Sequence, residues 1–523
     1  MSSFQASQEE AKRWLLNDSG VVSLLLPWFV IFSLFISTWW FLTTSKKKNP
    51  PPSPPRLPII GNLHQISSLA HRSMKSLADK HGPLMLLHLG SQPVLVATTA
   101  DATREVLKTH DVAFSGRPES AVTQSIFRNV KNISLSPYGD SWKHVRSMAV
   151  NLFLNQKKVQ SFRSIREEEV SLLVERIKES CASSSVICMN ILLTTFANDT
   201  VSRITVGKRY SGQDGLKLAE ILTTGAELLG AYMIWDFFPR LAWIAYLIGL
   251  EAKIKKVAKD FDQCLDNLVE EEMNRNKTGG SDSDVGEGDQ GNDNQNLLQA
   301  LVELHRTNST GYPLDRKIIK GLVVDMIAGG LDIYSLLEWA MAMLIKHPDV
   351  MKKLQDEVKE FAGSKSFVSE GDLSKLQYLK AVIKETFRFC APGAFIPRIA
   401  TKDVKVMGYD IAAGTQLLVN KWALGRDPTL WEKPEEFRPE RFLDSSIDLK
   451  GQNFELLPFG SGRRVCPGTT FALLIVELAI ANLVCNFNFA LPDGERAEDL
   501  DITEAPGVMS RRKTPLLLVP SLR

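Results

Sequence analysis

The chain has 523 residues, 44% of them hydrophobic and 23% charged. That balance supports a large buried core and excludes a disordered or fibrous protein. A formal net charge of +2 provides no global basic field, so nucleic acid is not an expected partner.

The N-terminus comes first. Residues 1–20 read as a short lumenal N-terminus. Val21 to Thr43 carries no charged residue and as a helix spans about 34 Å, enough for a hydrocarbon core of about 30 Å. Trp28, Trp39 and Trp40 lie towards its ends as interfacial anchors, and Lys46, Lys47 and Lys48 follow at once. The positive-inside rule then predicts a single-pass anchor over 21–43, in contact with membrane lipid, with the C-terminal bulk in the cytosol. Residues 44–61 form a basic and proline-rich hinge around Pro50-Pro51-Pro52-Ser53-Pro54-Pro55, because proline fixes φ and resists helix. The body is 62–523.

Within the body, 83–99 reads as short β-strands with a turn at Gly90 to Pro93. Helical periodicity covers 160–180, 252–276, 314–346, 348–361 and 469–488. Short β-like pieces return at 404–420 and 514–519. The fold class is therefore mainly α with small β-sheets. Residues 278–296 (TGGSDSDVGEGDQGNDNQN) are acidic, Gly-rich and almost free of apolar side chains, which predicts a disordered surface loop. The Gly286-x-Gly288-x-x-Gly291 inside it matches a dinucleotide-binding pattern, but neither strand nor helix flanks it and its acids repel phosphate. Electrons for any redox reaction must then come from another protein.

The six cysteines include no Cys-x-x-Cys pair, so sulfur chemistry falls to one cysteine acting alone. The informative segment is Pro458-Phe459-Gly460-Ser461-Gly462-Arg463-Arg464-Val465-Cys466-Pro467-Gly468, just before a long apolar helix. A cysteine in a Gly-rich loop at a helix N-terminus has its thiolate stabilised by free backbone N–H groups and the helix dipole. Such a thiolate suits a nucleophile or an axial ligand to iron. No histidine stands near it in sequence to serve as a base.

Phe459-Gly460-x-Gly462-x-Arg464-x-Cys466-x-Gly468 resembles the haem-binding loop of cytochrome P450 enzymes. The resemblance implies the cytochrome P450 fold, a haem b cofactor and Cys466 as the axial ligand of its iron. It implies that Phe459 packs beside the sulfur and that Arg464 pairs with a haem propionate. Glu385-Thr386-Phe387-Arg388 and Pro439-Glu440-Arg441-Phe442 resemble the family segments whose Glu385, Arg388 and Arg441 form a buried structural network. Trp142-x-x-x-Arg146 resembles a motif reaching a propionate, and Arg398 matches another propionate arginine. The style resembles plant enzymes of family 71. By that resemblance the chain is a monooxygenase of the endoplasmic reticulum membrane, using O2 and electrons from NADPH-cytochrome P450 reductase. The implied substrate is a lipophilic plant specialised metabolite: a terpenoid, a coumarin or other phenylpropanoid, or an alkaloid. The implied pocket walls are Ser125, Ile126, Phe127, Ala328, Asp332, Ala394, Phe395, Ile396, Val508 and Met509.

The central helix departs from the family. Members carry an acid followed by threonine over the haem, where the chain reads Ala328-Gly329-Gly330-Leu331-Asp332-Ile333-Tyr334-Ser335. Aligned on the acid, Asp332 is kept as the catalytic carboxylate and Ile333 replaces threonine. Aligned on the downstream Glu338, Asp332 itself takes the threonine position. Isoleucine can neither donate nor accept a hydrogen bond. An ordinary hydroxylase helped by a substrate hydroxyl or water is one reading. An enzyme of rearrangement, dehydration or oxidative coupling is another, and a haem-binding non-enzyme a third.

Overall fold

The computed structural model describes residues 49–183, 185–209, 249–275, 295–308, 313–363, 365–507 and 510–523, with Trp28, Phe32, Ser33, Phe237 and Phe238. The anchor predicted over 21–43 falls outside these residues apart from Trp28, Phe32 and Ser33. The acidic stretch 278–294 also lies outside them, as do Val508 and Met509. Pro51 to Arg523, without Gly408–Asp410, forms one compact unit. Asn49 and Pro50 group with the turn Gly408–Asp410 in a separate small unit, in which Asn49 N–H donates to Asp410 Oδ2 at 2.8 Å.

The body is helical with small sheets. Helix α1 (Ala70–His81) leads into β1 (Leu84–Leu89) and β2 (Gln92–Ala97), which pair antiparallel. Pro93, expected in the turn, lies inside β2 opposite His88. It is tolerated there because β2 begins its second pairing only at Val94, so the missing N–H costs no ladder bond on that side. Pro52 of the expected hinge is tied to this sheet: Leu86 N–H donates to its carbonyl at 2.9 Å. Helices α2 (Asp140–Leu152), α3 (Arg163–Ala182), α4 (Met189–Val206), α5 (Leu250–Arg275) and α6 (Leu297–Thr307) follow.

The central helix α7 runs from Arg316 to Lys346. Asp315 caps it, its carboxylate accepting from Ile318 N–H at 2.9 Å, which satisfies one of the free donors of the first turn. Then come α8 (Pro348–Ala362), α9 (Gln377–Cys390), β3 (Phe395–Ile399), β4 (Gln416–Asn420) and the short α10 (Lys421–Leu424). The four-stranded sheet has the order β1-β2-β4-β3. Helix α11 (Thr469–Asn486) is apolar on every side, as a helix enclosed by protein must be. Among the described residues it is the one helix long and apolar enough to cross a membrane, and most of it is buried in the protein. The last strands are β5 (Phe487–Ala490) and β6 (Leu517–Leu522), paired antiparallel. β6 lies three residues beyond the expected 514–519, where its partner strand lies.

Helix α7 links two hydrophobic cores. Its first half, through Ile327, packs with α2, α5 and α6. Its second half, from Ile333, packs with α3, α4, α9 and α11. Between them Ala328, Gly329 and Asp332 carry accessible surface and belong to neither core.

Candidate active site

The loop before α11 is shaped by its glycines. Gly460 and Gly462 have φ of +73° and +68°, a region that L side chains rarely adopt. A Cβ on Gly462 would also lie 2.7 Å from the Leu107 carbonyl oxygen. Inside this turn Cys466 N–H donates to the Phe459 carbonyl at 2.9 Å and Val465 N–H to that of Gly462 at 3.0 Å. Gly468, at the N-terminus of α11, aims its N–H at the Cys466 sulfur. Burial pushes the thiol pKa up; the Gly468 N–H and the Arg146 guanidinium pull the other way. A metal cation at the sulfur reverses that balance.

Cys466 and Asp332 both carry accessible surface although protein surrounds them. That surface belongs to an internal cavity. In the middle of α7, Asp325, Ala328, Gly329 and Asp332 carry accessible surface and form a stripe at the helical repeat, with the half-buried Met326 beside it. Ile333 is 3% exposed and belongs to the core. Ser335 is buried, its hydroxyl donating to the Ser510 carbonyl at 3.1 Å. Asp332 rather than Ile333 therefore holds the cavity-facing position. Burial raises the Asp332 carboxyl to about 6, against the opposing effect of Lys421 and Arg511.

Around the thiolate loop, cations converge. Arg146 Nη2 donates to the Val465 carbonyl at 2.7 Å. Arg464 donates to the carbonyls of Ser115, Ile133 and Ser136 at 2.9, 3.1 and 2.8 Å and lies over the Trp142 ring at 4.2 Å. Trp142 Nε1 donates to Ile133 O at 2.9 Å. These contacts tie the loop to the segment 115–136. Arg398, 3% exposed, and Arg117 both donate to the Pro397 carbonyl, at 2.9 and 2.8 Å. Burial holds the Arg398 guanidinium well below its ordinary pKa, and Arg117 and Arg464 push it the same way. Arg117 and Arg464 are themselves lowered to about 10, burial being the main cause. Among the described residues no carboxylate pairs with these three, and the buried Arg117 Nε has no hydrogen-bond partner. Buried cations in this state need anions. The carboxylates of a haem supply them, so the donor set fits that cofactor. Arg117 is a site residue that sequence reasoning missed.

Behind the site, Glu385 and Arg388 are wholly buried. Arg388 Nε and Nη2 donate to the two Glu385 oxygens, each at 2.7 Å. Arg441 Nε donates to Glu385 Oε1 at 3.1 Å. Arg388 also donates to the carbonyls of Gly425, Pro434 and Glu436. One charge network thus holds the strand-poor segment 425–441 against α9. Phe387, on α9 between them, packs edge-on against Phe459 at 5.3 Å.

A family model for cytochrome P450 matches residues 51–519. The chain belongs to the cytochrome P450 family. It is 47% identical over 474 residues to cytochrome P450 736A117 of Prunus mume, covering 89% of each chain. It is 44% identical to norfluorocurarine oxidase of Strychnos sp, covering 89% of this chain and 91% of the relative. With psoralen synthase of Ammi majus it shares 46% identity, covering 93% and 96%. The cytochrome P450 membership makes the chain a haem-thiolate oxidoreductase, a monooxygenase that uses O2, a small-molecule substrate and a redox partner.

The expected pocket residues are not all alike. Ile396 shares one face of β3 with Arg398, as the strand period requires, and Ala394 is buried just before the strand. Phe395 turns the other way, against His71 at 6.4 Å and the core beneath the sheet. Ile126 is buried in the core around α5, and Phe127 packs edge-on against Phe261 at 5.6 Å. Ser125 is exposed.

Proposed function

We propose that this cytochrome P450 is a membrane-anchored monooxygenase of a lipophilic plant specialised metabolite, with Cys466 as the axial ligand of haem iron. The observation that carries the reading is Cys466 facing an internal cavity within electrostatic reach of Asp332 and Arg146. The relatives named for norfluorocurarine, for tabersonine and lochnericine, and for psoralen support a specialised metabolite as substrate. The uncharged run over 21–43 and the lysines after it support a single-pass endoplasmic-reticulum anchor with membrane lipid around it, a 44–61 hinge and a cytosolic 62–523 domain. NADPH-cytochrome P450 reductase is the electron donor this topology supports.

When bound, the haem supplies oxygen activation; the chain's own residues hold it and manage protons. Cys466 would ligate the iron. Arg117 and Arg398 would hold the propionates, together with Trp142, Arg146 and Arg464, which also fix the loop. Glu385, Arg388 and Arg441 hold the wall behind α9. Asp332, raised to about 6, holds or releases a proton at its carboxyl near neutral pH, where the family has a hydroxyl. Ala328, Ala394 and Ile396 supply apolar wall, which suits a lipophilic ligand.

A second reading, rearrangement, dehydration or oxidative coupling, draws on the same substitution, a carboxyl in place of the hydroxyl. The test is the reduced, carbon-monoxide difference spectrum of the full-length chain in membranes, then turnover with reductase, NADPH and 18O2. A strongly red-shifted Soret band, lost in Cys466→Ala, together with labelled product bears out the proposal. Turnover without label favours the second reading. No haem band from folded protein overturns both.

A further inference from the structure

We infer that Lys421 is a positioning residue of the haem site, an internal cation whose ammonium ties the start of the thiolate loop to the wall of the substrate pocket. This rests on Cys466 being the haem ligand. Lys421 opens α10 directly after β4. Its backbone is fixed by Asn420, whose side chain accepts from Ala423 N–H at 3.0 Å and donates to the His71 carbonyl at 2.7 Å. From there the side chain reaches inward. Its Nζ donates to the Pro392 carbonyl and to the Pro458 carbonyl, each at 3.1 Å.

Those two carbonyls belong to different parts of the site. Pro458 immediately precedes Phe459, whose own carbonyl receives the Cys466 N–H. Pro392 ends the α9 connection and stands two residues before Ala394. One ammonium therefore sets the spacing between the loop that carries the sulfur and the segment that carries Ala394, Ile396 and Arg398. A Cβ on the neighbouring Gly393 would lie 3.7 Å from the Lys421 nitrogen, so the amine fills the space beside the turn.

The charge matters as well as the clamp. Lysine is almost never enclosed by protein without a carboxylate partner. Here, among the described residues, no carboxylate comes within ion-pair distance of Lys421. The charged groups that act on it are Asp332 and Cys466, both on the cavity. A cation there favours the more negative, ferrous state of the thiolate-bound iron over the ferric one, since the two differ by one electron. The same cation stabilises Asp332 as carboxylate.

The test compares wild type with Lys421→Met, Lys421→Gln and Lys421→Arg in full-length protein in membranes. Two quantities are read: the haem midpoint potential, and the rate at which the red-shifted ferrous carbon-monoxide band converts to the unshifted one on mild warming. Lys421→Met, which removes both donors and charge, shifts the potential lower and speeds conversion several-fold. Lys421→Gln, which keeps a donor without charge, lowers the potential with less effect on conversion. Lys421→Arg returns the potential towards wild type. Wild-type values of both quantities in Lys421→Met overturn the inference. Should Lys421→Met load no haem, a loaded Lys421→Gln with lowered potential supports it. Loss of helical circular dichroism in all three variants overturns it in favour of a general stability role. A wild type without a red-shifted band refutes the ligand assignment itself, and this inference with it.

Discussion

The thiolate loop and the central helix face the same cavity and are built on opposite terms. In the loop, every position that the family pattern specifies is filled by the expected residue, and backbone hydrogen bonds, two left-handed glycines and the contacts of Arg146 and Arg464 fix its shape. In the helix, Leu331-Asp332-Ile333 departs from the pattern, and the cavity-facing stripe ends in a carboxyl rather than a hydroxyl. The part that holds the cofactor is over-determined by geometry. The part proposed to manage protons over it rests on a single side chain, outside both hydrophobic cores. Chemistry can therefore vary at Asp332 while the haem site stays the same.

The largest effect is expected where the cofactor half depends on buried charge. Arg388→Met leaves Glu385 enclosed with its main partner gone, and removing one member of such a pair costs about 3–5 kcal/mol. Circular dichroism melting and haem content will show whether the chain still folds; the expected result is little or no haem-loaded protein. Arg117→Met should come next. It relieves repulsion among three buried guanidiniums in the haem-free chain yet weakens haem retention. A haem-transfer assay to apomyoglobin should record release several-fold faster than wild type, with unchanged helical signal. Equal release rates would remove Arg117 from the site.

How much of this could be read in the sequence depends on whether contacts are local. The thiolate loop is one continuous segment, so its glycines and cysteine declare it. Glu385 and Arg388 lie three apart on a helix, and periodicity places them on one face. The helices expected from periodicity were legible within about three residues at each end for the same reason, but α4 and α9 were not among them. Arg117 and Lys421 were not, because each acts from a separate element and meets its partners only after folding. Pro392 and Pro458, joined by Lys421, look like unremarkable turn residues in the sequence. The side-chain direction at 332 and 333 was also undecided, since two alignments one residue apart point opposite faces at the cavity. Phe395 illustrates the same limit: it was expected in the pocket wall, but its strand was not expected, and which face it presents depends on pairing.

The central helix can be sharpened by two substitutions one residue apart. Asp332→Thr places a hydroxyl on the cavity stripe and should change the ratio of product formed to NADPH consumed by several-fold, with little effect on melting. Ile333→Thr puts a hydroxyl into the core at a residue only 3% exposed. Burying it without a built partner costs about 1–3 kcal/mol, and the coupling ratio should not improve. The reverse outcome, coupling restored by Ile333→Thr alone, would mean that the helix presents its other face to the cavity and would break the contrast between loop and helix.

The smallest expected effect concerns the other carboxyl on that stripe. Asp325 is raised to about 6 by burial, against the hydrogen bonds it accepts from Ser134 Oγ at 2.6 Å and Ile133 N–H at 2.5 Å and the attraction of Arg117. The folded chain therefore binds a proton there more tightly than the unfolded chain, whose aspartate titrates near 3.9. A raised folded pKa contributes stability that is present below about pH 4 and lost as pH rises through about 6. Asp325→Asn keeps an acceptor for Ile133 N–H but cannot titrate. The melting temperature of wild type relative to this variant should fall by about 2 °C between pH 4 and pH 7. A flat difference would show that the Arg117 side of the cavity compensates the Asp325 charge fully, joining the helix to the cation cluster more closely than the separate roles of the two regions imply.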